Sequence, residues 1–60
     1  MDYYDTKAGI MARIATHTLY ATRCRETAEQ TGRASALHQA MHHEATIERL
    51  KAQLVTAPEV

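Results

Sequence analysis

Two stripes of residues mirror one another across Gly32, and this symmetry constrains the chain more than any other feature. Stepping by four and three residues from Ile10 picks out Ile14, His17, Ala21, Cys24 and Ala28. The same kind of stepping from Ala36 picks out Ala40, His43, Ile47, Leu50 and Leu54. Such spacing keeps side chains on one line of a helix, as the a and d positions of a heptad do. Folding the chain back at Gly32 sets each member of the first stripe against one of the second. Ala28 meets Ala36, Cys24 meets Ala40, and Ala21 meets His43; His17 meets Ile47, Ile14 meets Leu50, and Ile10 meets Leu54. The layers nearest the turn are small, so the backbones can approach closely there, and the open end carries the bulky Ile and Leu.

The helix signals agree with this folding. Gly32 suits the residue just past a helix end, because it enters the left-handed region without a Cβ penalty. Ser35 suits an N-cap for a second helix, and Pro58 a stop beyond its end. At the front, Asp2 and Asp5 resemble a capping box, with Asp5 or Thr6 as alternative caps. The stretches between are rich in strong helix formers. The expected fold is all-α: helices over about 3–30 and 35–56 in an antiparallel hairpin, with Gly9 weakening the first turns. A partner for Tyr3 would lie beyond Val60, so Tyr3 and Tyr4 are expected to overhang.

At 60 residues the chain is a single domain of marginal size, the kind that needs a disulfide, a metal or a partner. Cys24 is the only cysteine, which excludes an internal disulfide and suits a reducing, cytoplasmic location. Cys24 itself reads as a small core residue. No apolar run reaches membrane-spanning length, and the acidic opening Met1–Asp5 lacks the basic start of a signal peptide. Seven basic and seven acidic residues cancel, so there is no bulk attraction to nucleic acid or anionic lipid. A chain of this size rarely builds a water-excluding pocket, so neither catalysis nor a cofactor is expected.

One seam cannot hold such a fold, and a second buried face is expected. The positions one step after each stripe include Met11, Ala15, Leu37, Met41 and Val55, an interrupted apolar strip edged by Arg25, Glu44, Glu48 and Lys51. Packing two such strips gives a homodimeric four-helix bundle, the chain's first expected partner being itself.

The positions one step before each stripe form the opposite face, and none of them is Asp or Glu. Arg13, Arg23 and Arg49 make it locally basic, and Tyr20 lies between Arg13 and Arg23 on one ridge. Arg and Tyr are enriched where proteins bind proteins, and Arg also binds phosphate. The expected site is therefore Arg13, Tyr20, Arg23 and Arg49, with Tyr3 and Tyr4 as a second candidate. The expected role is a small non-enzymatic regulator or inhibitor docking on a larger protein, a type that phages and mobile elements encode. Nucleic acid is the rival partner. The short chain, helical hairpin and antiparallel dimer resemble the Rop-type RNA-binding bundles; the resemblance is one of architecture and implies no residue roles. A third reading uses the histidines. His17 and His43 lie in the seam as weak metal candidates or a pH-sensitive pair, and His38 and His42 share a helix face four residues apart.

Overall fold

A computed structural model describes residues 2–59. Helix α1 spans Lys7–Thr31 and helix α2 spans Ala34–Thr56, with a 3-10 turn at Tyr3–Asp5 before them. The molecule measures 42 × 14 × 14 Å. A 25-residue helix alone is about 37 Å long, so the chain has doubled back as an antiparallel hairpin. Gly32 makes the reversal at φ 69°, and its N–H donates to the Ala28 carbonyl at 2.8 Å. The link is only Gly32 and Arg33, tighter than expected. As a result Arg33, with no side-chain cap bond, occupies the N-cap of α2, and Ser35 falls inside the first turn. Ser35 is not the cap.

All twelve stripe residues are buried or half-buried, in the phase the heptad steps predicted. Ala21, Ala36 and Ala40 form the tight layers near the turn, and Ile10 and Leu50 anchor the open half. Across one flank of the seam, Arg25 grips Glu44 through two hydrogen bonds of 2.5 and 2.6 Å. Arg25 follows Cys24 and Glu44 follows His43, so this ion pair reaches diagonally between two successive layers on the same flank. The helices carry many threonines, poor helix formers. Thr16, Thr18, Thr22, Thr27, Thr31 and Thr46 each donate to the carbonyl four residues back, which keeps their hydroxyls satisfied.

The N-terminus departs from the expected helix over 3–30. The first helix begins at Lys7, and Thr6 is its cap. The buried Thr6 hydroxyl accepts from the Gly9 N–H at 3.2 Å and donates to the Tyr3 carbonyl at 2.6 Å. Asp2 caps the 3-10 turn instead, accepting from the Tyr4 N–H at 3.4 Å. The turn folds down onto Gly9. A Cβ there would stand 2.1 Å from the Tyr3 oxygen, so this position admits only glycine. Tyr3 and Tyr4 thus belong to an elbow and do not extend α1 as an overhang; Val60, the reference for that expectation, lies outside the described residues. After α2, the tail returns to the same corner. The Pro58 carbonyl accepts from the Lys7 N–H at 2.8 Å, and Lys7 Nζ reaches Glu59 at 3.2 Å. The turn before α1 and the segment after α2 are therefore both clasped at the first turn of α1.

The core is thin. Ile10 and Leu50 are the two large apolar side chains among the described residues that are buried; the rest of the buried apolar core is alanine. The chain exposes 4418 Å², against about 3,900 Å² for a compact monomer of its mass. No described helix is long and apolar enough to cross a membrane.

Candidate functional site

The face built from positions one step before the seam runs along both helices and contains no carboxylate. Three ion pairs occur among the described residues. Arg25–Glu44 and Glu48–Lys51 lie on the opposite flank, and Lys7–Glu59 sits at the open end. Among the described residues, Arg13, Arg23 and Arg49 have no carboxylate partner. The chain's zero net charge thus hides a flank that is locally basic.

Toward the open end of the basic flank, α1 and α2 frame a shallow groove of about 160 Å³ lined by Arg13, Thr46, Arg49, Leu50 and Gln53. Arg13 comes from α1 with its stem half-buried, and Arg49 comes from α2. Arg49 Nη2 donates to Thr46 Oγ1 at 3.3 Å, and that hydroxyl donates to the His42 carbonyl at 3.1 Å. This short relay steadies one guanidinium at the rim. The groove is smaller than the roughly 300–1,000 Å³ of sites that enclose a metabolite. Its size and lining suit one anionic side-chain group.

Closer to the middle, an aromatic and imidazole cluster bridges the helices. The exposed Tyr20 ring lies 5.7 Å from the His43 ring, and His42 lies 6.1 Å from His43. His43 in turn meets His17, Nδ1 to Nδ1, at 2.9 Å. One ring must donate Nδ1–H and the other accept, so the two hold different tautomers. Burial, then the electrostatic influence of His43, Arg13 and His42, holds His17 below its ordinary pKa near 6.5. A tetrahedral metal with bonds near 2.0–2.1 Å would spread two such nitrogens to about 3.3 Å. Among the described residues no third His, Cys, Asp or Glu gathers with them. His38 and His42 both point outward from α2 and are exposed.

The expected site residues thus fall into two places. Arg13, Tyr20, Arg23 and Arg49 share one flank. Tyr3 and Tyr4, packed edge to face at 5.6 Å, stand apart on the elbow. Thr46 and Gln53 line the groove beside the seam residue Leu50, although residue type alone did not single them out. Their signal is the register: they lie at the level of Arg13 once the chain is folded at Gly32. On the other flank, Met11, Ala15, Leu37, Met41 and Val55 are all exposed, Met11 at 59% and Val55 at 81%. Cys24 is half-buried beside Gln39, its Sγ 3.8 Å from the Gln39 Oε1.

Compared with protein families, with curated proteins and with solved structures, the chain matches none of them.

Proposed function

We propose that this chain is a non-enzymatic regulator that docks its basic flank onto a larger protein and modulates or inhibits it. The observation that carries this reading is the unpaired trio Arg13, Arg23 and Arg49 around Tyr20, on a face free of carboxylates. Tyr and Arg dominate protein-binding hot spots because each offers a large contact area together with directed hydrogen bonds. The shallow groove supports binding by contact over catalysis, since it offers no enclosed volume in which to exclude water.

The same proposal includes a homodimer. Met11, Leu37, Met41 and Val55 leave an apolar strip exposed on the other flank, and the hairpin's own core is too thin to be stable alone. Two strips packed about a twofold axis would give a four-helix bundle with the basic flanks outward.

Affinity capture from the native host with the wild-type chain, Arg23→Glu and Tyr20→Ala tests the docking surface. The expected outcome is one protein retained by wild type and lost by both variants. Retention of that protein by both variants would reject this surface, and recovery of nucleic acid alone would favour the Rop-like reading.

A further inference from the structure

The basic flank carries two positive stations separated along the hairpin axis. Arg13 and Arg49 form the first, at the groove toward the open end. The exposed Arg23, nearer the turn, is the second. Arg13 and Arg23 are ten residues apart on one helix, a separation of about 15 Å at 1.5 Å per residue. Between the stations stands the Tyr20 ring, backed by His43. A flat surface would not read such an arrangement well, whereas a helix laid in the valley between α1 and α2 would.

We infer that the docking flank recognises an acidic amphipathic helix of a protein partner. Two carboxylates about three turns apart on that helix sit at the Arg13–Arg49 groove and at Arg23, with an apolar side chain on Tyr20 between them. Charge complementarity selects this occupant. The flank holds three unpaired guanidinium groups and no acid, and a guanidinium takes a carboxylate in a two-pronged hydrogen-bonded geometry. The groove fits a side-chain-sized anion. The exposed Tyr20 ring favours a partner that brings apolar atoms along with charge. A nucleic acid would instead favour a denser row of cations to match its phosphate repeat. The inference rests on the proposed docking surface and adds to it the chemistry of what docks.

The test uses the full chain, isotope-labelled, and synthetic helical peptides. One peptide carries two glutamates about eleven residues apart with a leucine midway, about 16 Å of helix rise between the charges. A second replaces both glutamates by glutamine, and a third places them one turn apart. A short RNA duplex is the fourth probe. The expected result is amide shifts confined to the flank around Arg13, Tyr20, Arg23 and Arg49, with the widely spaced glutamate peptide binding about fivefold or more tighter than either relative. Arg49→Glu should remove that preference, and Arg33→Glu, in the link between the helices, should keep it. The peptide comparison leaves the protein unaltered, so misfolding of a variant cannot imitate a failure. Equal binding of all three peptides, no binding of the glutamate peptide, an Arg33→Glu effect as large as Arg49→Glu, or shifts by the RNA duplex alone would each overturn the inference. If host capture still depends on Arg23 and Tyr20 while the peptides fail, the docking surface stands and only its proposed occupant falls.

Discussion

Single residues at the corners of this hairpin carry constraints that their type alone conceals. Gly9 sits inside α1, where replacing glycine by alanine ordinarily gains about 1 kcal/mol. Here the added Cβ would meet the Tyr3 carbonyl and the Tyr4 Cα, both backbone atoms that cannot simply swing aside. The sign should therefore reverse. Gly9→Ala is expected to destabilise by about 1–3 kcal/mol, read as a lower denaturant midpoint, and a stabilised variant would refute the elbow. His17 supplies a second residue-scale prediction. Its folded-state pKa lies below the ordinary value, so it stays neutral in the fold while the unfolded chain takes up a proton. Stability is then intact above about pH 6.5–7 and falls as the pH drops toward the depressed value. The Nδ1–Nδ1 hydrogen bond to His43 adds to this loss, because two protonated rings have no acceptor between them. Arg13 and His42, which also face His17, work in the same direction. Thermal melts from pH 7.5 to 5 should show a falling Tm in wild type and a flatter profile in His17→Leu; parallel profiles would contradict the assignment.

At the scale of the helices, the seam was the readable part of the fold. Its phase survives in all twelve positions because a heptad stripe interrupted only by small residues and two histidines leaves few other ways to bury Ile10, Ile14, Ile47, Leu50 and Leu54. The ends were not readable. Tyr3, Tyr4 and Asp5 tolerate a helix as well as they tolerate a turn, and what decides between them is the approach of the Tyr3 carbonyl to Gly9, a contact that no local pattern encodes. The clasp from Pro58 to Lys7 joins residues from opposite ends of the chain and likewise leaves no periodic trace. The candidate site was legible as a list of residue types on one face. Its groove was not, since Thr46 and Gln53 acquire meaning only from their level beside Arg13. The register itself can be tested through the flank ion pair. Arg25→Glu and Glu44→Arg should each lower the Tm in low salt by placing like charges side by side, and the double swap should restore it. No recovery in the double variant would mean that the two helices are paired in another register.

For the whole molecule, the balance between surface and core decides what the chain can be. It exposes about 500 Å² more than a compact monomer of its mass would, and part of that excess is the Met11, Leu37, Met41 and Val55 strip. The proposed docking on the basic flank and the proposed second copy on the apolar flank account for both exposures. Sedimentation over a dilution series, with helicity followed by circular dichroism at each concentration, tests this most directly. The account predicts a species of twice the 6.7 kDa chain mass that loses helicity as it dissociates. A fully helical single chain at every concentration would contradict it.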